Sequence, residues 1–262
     1  MSDLHSHSWL WLCHTAFFLS LDLAIFLSVI IPAHNEETRL PDTLEQVFRF
    51  LEKQSFISEV IVVENGSTDK TFEVAQQFSS RHDNFRVIQS ERGKGAAVKQ
   101  GMLTAQGEYC FMCDADLSMP VEEIAKFIPP AISNFDIAIA SREAQGAVRY
   151  NEPSYRHLGG RGINFIIQLL ILPGLNDTQC GFKCFRAAVV QDIFNRQTLA
   201  GWSFDIELLY IARQRRYRVH EIPIDWYYHP ETKVSVVRDA LRMIRDIFRI
   251  RINAWRGLYE TH

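Results

Sequence analysis

The stretch LSVIIPAHNEETRLPDTLEQVFRFLEKQSFISEVIVVENGSTDKT, residues 27–71, holds one complete strand–helix–strand unit. Two apolar runs, LSVIIP (27–32) and EVIVVE (59–64), bracket a helical stretch over 41–53. A second helical stretch over 69–79 leads to FRVIQ (85–89), and a third over 95–105 leads to EYCFMCDAD (108–116). Residues 120–128 and FDIAIAS (135–141) repeat the alternation. Strands that take turns with helices pair side by side under helical layers, so the pattern predicts an α/β fold: a mostly parallel sheet with helices on both faces. Downstream, 153–170 and 203–213 read as helices, DTQCGFKCF (177–185) as a turn and short strand, and YRVHEIPI (217–224) as a late strand.

In open sheets of this kind, ligands bind beyond the carboxyl ends of the strands. That rule singles out residues 32–37, 64–69, 92–95 and 114–118, together with Ser141 and Arg142, all of them polar or glycine-rich. Loops from separate strands would thus converge on one crevice.

Composition narrows the classes. The chain has 262 residues, 47% hydrophobic and 23% charged. That is long enough for one large domain with appendages, and it excludes disordered, collagen-like and disulfide-scaffold proteins. A net charge of −3 gives no electrostatic footprint for nucleic acid, so no such partner is expected. The charge is uneven: residues 1–210 carry 17 Lys+Arg against 25 Asp+Glu, whereas 211–262 carry 11 against 6. A basic tail on an acidic body is either a solvated face or a patch that meets anionic lipid headgroups. The five cysteines, Cys13, Cys110, Cys113, Cys180 and Cys184, form no disulfide framework, and a reducing compartment is expected. Strand alternation puts Cys110 and Cys113 on opposite faces, so they read as buried core thiols rather than a redox or zinc pair.

Both ends raise a membrane question. The apolar run over 9–31 contains His14 and Asp22, and its last residues are wanted by the first strand. About 18 residues remain against the roughly 20 of a spanning helix, and no basic n-region marks a signal peptide. Over 236–255, Val237, Leu241, Ile244, Phe248 and Ile252 fall at helical spacing, with Arg238, Arg242, Arg245 and Arg249 on another face. Such a helix either packs on the core with a solvated arginine face or lies amphipathically in a membrane interface.

Three motifs carry chemistry. Asp114-Ala-Asp116 ends an apolar strand, and paired carboxylates there offer hard oxygen ligands to Mg²⁺ or Mn²⁺ bridging a diphosphate; alone, the same spacing also fits an exposed turn. Arg92-Gly-Lys-Gly95 precedes a helix and suits phosphate, but it lacks the Walker pattern of an ATPase. Glu64-Asn-Gly-Ser-Thr-Asp69 is either a capped turn or a carboxylate–amide pair that hydrogen-bonds a base and a ribose.

Taken together, IPAHNEETRL (31–40), VVENGSTDKT (62–71), ERGKGAAVKQG (91–101), DADLSMP (114–120), SRE (141–143), DTQCGFKCF, GWSFDIELLYIA (201–212) and EIPIDW (221–226) resemble the family 2 glycosyltransferases of GT-A fold. Within them the chain is most similar to the dolichyl- or polyprenyl-phosphate hexosyltransferases of the glucosyl branch. The resemblance runs from about Leu27 to Tyr259 in the family's order. It implies a Rossmann-like GT-A domain over 27–233, an apolar extension over 1–26 and a basic amphipathic helix over 234–262. It also implies that Pro32, Ala33, Asn35, Glu36, Glu64, Asn65 and Gly66 hold the nucleotide sugar, with Lys94, Asp114 and Lys233 beside them. Asp114 and Asp116 would bind the metal, Arg142 and Arg156 would reach donor and acceptor phosphates, and Asp205 and Glu207 would face sugar or acceptor. Asp116, Arg142, Arg156 and Asp205 are the implied catalytic group. Departures are Glu64-Asn65 where the family usually shows two Asp, His34 where Tyr is common, and Ser118 where many mannosyl relatives place Gln.

The expected reaction is inverting transfer of a hexose, glucose from UDP-glucose in the first place, to a polyprenyl-phosphate lipid. A phosphate acceptor is already anionic near neutral pH, so positioning rather than a general base carries the step. The expected location is cytoplasmic, peripheral on the cytoplasmic face of a membrane. Three alternatives stand beside it: a GDP-mannose-dependent polyprenyl-phosphate transferase, a soluble enzyme acting on a saccharide hydroxyl with Asp177 or Asp205 as base, and a nucleotide-sugar-binding module without catalysis.

Overall fold

A computed structural model describes residues 24–228 and 236–260. Seven strands form the central sheet: β1 (Leu27–Ala33), β2 (Ser58–Glu64), β3 (Phe85–Gln89), β4 (Tyr109–Cys113), β5 (Ile137–Ser141), β7 (Phe182–Arg186) and β8 (Val219–Pro223). Their spatial order is β3-β2-β1-β4-β7-β5-β8, and every pairing is parallel except those of β7, which runs antiparallel to both β4 and β5. The expected mostly parallel sheet is therefore present, with one reversed strand in its middle.

Every residue of β1 and β2 is buried, which fits strands with continuous apolar runs over 29–31 and 60–63 covered on both sides. One side is covered by α1 (Leu40–Leu51), α2 (Thr71–Ser79) and a short 3-10 helix over Val121–Phe127. Pro41 sits in the first turn of α1, where a missing N–H is harmless, and Leu40, Leu44, Val47 and Leu51 form its buried stripe. Phe111, Phe127 and Phe182 lock this layer edge to face, with centroids 4.6–5.7 Å apart. The other side is covered by α3 (Lys94–Thr104), α5 (Ala187–Arg196) and α6 (Phe204–Gln214). Cys110 belongs to the second layer and Cys113 to the first, as alternation requires, and both are buried free thiols.

Two further helices, α4 (Ser154–Leu170) and α7 (Val236–Trp255), touch one another, and α7 also packs on α6. A two-stranded parallel ribbon of β6 (Val148–Tyr150) and β9 (Asp225–Tyr227) was not legible in the sequence; stacked rings of Tyr150 and Tyr227, 4.4 Å apart, hold it. Two boundaries also shift. The helix expected from residue 69 starts at Thr71, because Asp69 turns its carboxylate back to accept the Thr71 N–H at 3.0 Å. Residues 121–127 form a 3-10 rather than an α-helix.

Most of the N-terminal stretch over 1–26, and Lys233, lie outside the described residues. Among the described residues, no helix is long and apolar enough to cross a membrane.

Candidate active site

The carboxyl edge of the sheet opens into a cleft of about 400 Å³. Pro32, Glu36, Asn65, Lys94, Asp114, Asp116 and Arg142 all line it, so loops distant in sequence meet as the strand-end rule anticipates. Its polar neighbours fix the shape first. Asn35 adopts a left-handed backbone (φ 55°), donates its N–H to Ser67 Oγ at 3.1 Å and accepts the Thr68 N–H on Oδ1 at 2.8 Å. The Glu36 N–H donates to Thr71 Oγ1 at 2.8 Å, so the loop after β1 is fastened to the loop after β2.

Glu64 is buried, and its carboxylate accepts the Ser67 N–H and, at 3.1 Å, the Gln89 amide. Burial works against its charge, but the Ser67 and Gln89 donors outweigh that and hold it below the ordinary carboxylate range. Glu64 therefore shapes the turn from within, and Glu64, Ala33, Asn35 and Gly66 are not among the residues that line the cleft.

At the floor, Lys94 Nζ lies 2.6 Å from Asp114 Oδ1. Burial lowers the lysine's proton affinity, yet Asp114, Asp205 and Asp116 together raise it above the ordinary value, so Lys94 is a fixed cation. For Asp114 the balance runs the other way: burial raises its pKa, Lys94 offsets only part of this, and Asp116 adds to the rise. Thr43 Oγ1 on α1 donates to the Ala115 carbonyl at 2.6 Å, and the Ser118 N–H donates to Asp116 Oδ1 at 3.0 Å, which pins the turn through Leu117 (φ 43°). Gly181 presses on this turn from β7; a methyl group there would collide with the Asp114 carboxylate.

The opposite wall is built from ion pairs. Arg142 donates to Asp177 from its backbone N–H at 3.0 Å and from Nε and Nη2 at 2.7 and 3.0 Å. Burial opposes the Asp177 charge, but Arg142 overrides it and holds the carboxyl below its usual value. The Arg142 and Arg149 guanidiniums lie 5.4 and 5.9 Å from the Trp226 ring centroid, and Arg149 pairs with Glu143 and Glu152. Arg156 is near this wall without lining the cleft; its Nη1 donates to Tyr228 Oη at 3.0 Å.

Three carboxylates expected at the site are engaged by other side chains. Asp205, in the first turn of α6, is buried, sits 2.6 Å from the equally buried Lys183 and is not among the residues that line the cleft, although its charge acts on Lys94 there. Glu207 is also buried, accepting from Thr198, Leu199 and Tyr259 on the far side of α6. Asp177 is fully buried and committed to Arg142, which removes it as an accessible base. Sequence reasoning missed Gln179, Cys180, Trp202 and Trp226, which also line the cleft. The first two could have been found: an antiparallel strand starts where its neighbours end, so residues before β7 arrive at the same edge.

A divalent cation fits this floor by donor chemistry. Asp116 is in no ion pair among the described residues, and it stands two residues from Asp114 on the same turn. No group of three or more His, Cys, Asp or Glu gathers into a cage among the described residues, so such a cation would complete its sphere with diphosphate oxygens and water.

Comparison with known proteins agrees with this geometry. Residues 28–194 match the model of glycosyl transferase family 2. The dolichyl-phosphate beta-glucosyltransferase of Drosophila melanogaster is 36% identical over 250 residues, spanning 88% of this chain and 77% of that protein. That of Homo sapiens is 34% identical over 250 residues, with the same two coverages, 88% and 77%. Among solved structures, glucosyl-3-phosphoglycerate synthase from Mycobacterium tuberculosis in complex with Mn²⁺ and UDP-glucose superposes with a TM-score of 0.62 at 16% identity, covering 85% of this chain and 79% of that one. At that identity the likeness establishes the fold, which is GT-A.

Proposed function

Because the chain belongs to glycosyl transferase family 2 and is a glycosyltransferase, we propose that it transfers glucose, with inversion, from UDP-glucose to dolichyl or a related polyprenyl phosphate. The observation that carries this reading is the meeting of Asp116, Lys94, Glu36 and Arg142 in one cleft. On this reading the catalytic unit spans 27–233, flanked by 1–26 and 234–262.

Each wall has a part in the chemistry. Pro32 and Asn65 take the nucleoside, with Glu36 beside them and Ala33, Asn35, Glu64 and Gly66 holding their loops in shape. Lys94 supplies fixed positive charge beside the diphosphate, and Arg142 directs its guanidinium to the phosphates entering between it and Asp116. Arg156 extends that positive wall toward the acceptor. A divalent cation at Asp114 and Asp116, Mg²⁺ or Mn²⁺, supplies Lewis-acid stabilisation of the leaving diphosphate when bound. Asp177 and Asp205, the carboxylates that a hydroxyl acceptor would call on, are both buried and held by cations. This supports an acceptor that needs no general base, and a lipid phosphate is such an acceptor.

The surface supports a membrane-borne acceptor. On α4, Tyr155, Leu158, Phe165 and Leu169 are each more than 60% exposed, and on the touching α7 Phe248 and Trp255 are 58% and 88% exposed. Apolar rings and leucines of this number on two adjoining helices, with Arg245 and Arg249 nearby, suit the interface of an anionic bilayer. We therefore place the enzyme peripherally, on the cytoplasmic face of a membrane.

Incubating the purified chain with dolichyl phosphate and radiolabelled UDP-glucose, GDP-mannose or UDP alone with free glucose tests the reading. Label extracted with the lipid only from UDP-glucose is expected. Lipid labelled from GDP-mannose instead, or label appearing in a water-soluble saccharide, would overturn it.

A further inference from the structure

Trp202 lines the cleft, yet 58% of it is exposed. A large apolar ring kept in water within a concave site marks a contact surface for something that arrives later. The backbone that carries the ring is held in place. Its loop is stapled to the start of α3: Ala96 N–H donates to the Ala200 carbonyl at 3.2 Å, and the Gln197 amide donates to the Gly95 carbonyl at 2.9 Å. Gly93 (φ 135°) lies so close beneath that any side chain there would run into the Ala200 carbonyl. On the other flank, Ser203 Oγ donates to Asp246 Oδ2 on α7 at 2.8 Å. The backbone on both sides of Trp202 is thereby fixed.

Location selects the occupant. Lys94 Nζ stands 5.0 Å from the Trp202 ring centroid, and the same ammonium is held by Asp114 at 2.6 Å. Trp202 therefore flanks the carboxylates of the cleft, where the diphosphate is proposed to lie, while Pro32 and Asn65, proposed to take the nucleoside, line it from the ends of β1 and β2. What projects past a diphosphate in a nucleotide sugar is the hexose. A pyranose with equatorial hydroxyls presents a flat C–H face that matches an aromatic ring, and its hydroxyl rim stays free for polar partners.

We infer that Trp202 is the platform on which the donor's hexose ring stacks, which makes it a specificity-determining residue for the sugar half of the substrate. This rests on the nucleotide-sugar reading above. It predicts that the ring contributes to binding only when the ligand carries a sugar.

Calorimetric titration of the wild type, Trp202→Ala and Trp202→Phe with UDP-glucose and with UDP, all in Mn²⁺, separates the possibilities. Trp202→Ala is expected to weaken UDP-glucose about tenfold and to leave UDP within about twofold, while Trp202→Phe keeps most of the affinity for both. Equal losses for the two ligands would overturn the inference, because the ring would then serve the nucleotide or the fold. No loss for either would overturn it too. A wild type that binds neither ligand would instead sink the nucleotide-sugar reading on which the inference stands.

Discussion

The two flanks of the cleft are held by different forces. The loops after β1 and β2 are joined by hydrogen bonds from backbone N–H groups to side chains, neutral ones from Asn35 to Ser67, Glu36 to Thr71 and Thr68 to Asn35, and carboxylates from Glu37 to Asp69 and Lys70 to Glu37. The wall from β5 to β9 is held by charge: Arg142 on Asp177, Arg149 on Glu143 and Glu152, and Lys183 on Asp205 behind it. Each hydrogen bond in a mesh contributes about 1 kcal/mol, so the first flank degrades by steps. Removing one member of a buried ion pair costs about 3–5 kcal/mol because the other is left uncompensated, so loss of Asp177 or Asp205, both buried, costs more than any one bond of the first flank.

The largest expected effect lies on the floor between the flanks. Asp116→Ala should lower kcat about 1000-fold at saturating Mn²⁺ with only a small loss of thermal stability, because the partner it would orphan is a single backbone N–H, that of Ser118. An active Asp116→Ala enzyme would remove the floor from the account. Next is Gly181→Ala, expected to lose about 100-fold in turnover by displacing the Asp114 carboxylate, with Asp114 and Asp116 themselves intact. Wild-type kinetics in that variant would mean the turn has slack that the packing denies.

Asp177→Asn then tests the charged flank itself. Urea unfolding should report a loss of about 3 kcal/mol, since Arg142 would stay in place without its counter-ion. The same pair sets a pH dependence. The folded pKa of Asp177 lies below that of an ordinary Asp, so its stabilisation is complete above about pH 4 and disappears as pH falls through the depressed value. The wild type should lose this increment in acid, and Asp177→Asn should show a shallower acid limb in a series of urea curves. Smallest of all, Thr43→Val on the hydrogen-bonded side removes the donor to the Ala115 carbonyl and should cost about 1 kcal/mol by the same measurement. Equal losses from Asp177→Asn and Thr43→Val would erase the distinction between the flanks.

The same division explains what could be read from the residues alone. The first flank is local: each polar loop follows directly on an apolar run, so strand-end reasoning found Pro32, Glu36, Asn65, Lys94, Asp114 and Asp116, and all six line the cleft. The resemblance could not tell a residue that lines the cleft from one that holds its loops in shape; Glu64 and Asn35 hold loop bonds and are not among the lining residues. The second flank depends on β7 entering the sheet in reverse, and no periodicity announces strand direction. Hence Gln179 and Cys180 were missed, and Asp177 and Asp205 looked like candidate bases although each answers a cation distant in sequence, Arg142 and Lys183. Trp202 and Trp226 escaped for a related reason: an aromatic residue before a helix or on a short ribbon reads as packing until the fold shows which side of it is open.

The most direct test of the account is whether the carboxylate pair ties nucleotide affinity to a divalent cation. Titrating UDP into the wild type and Asp116→Ala, with and without Mn²⁺, should show the cation tightening binding about tenfold or more in the wild type and losing that effect in the variant. UDP affinity that is indifferent to Mn²⁺ in the wild type, or equally responsive in both proteins, would contradict it.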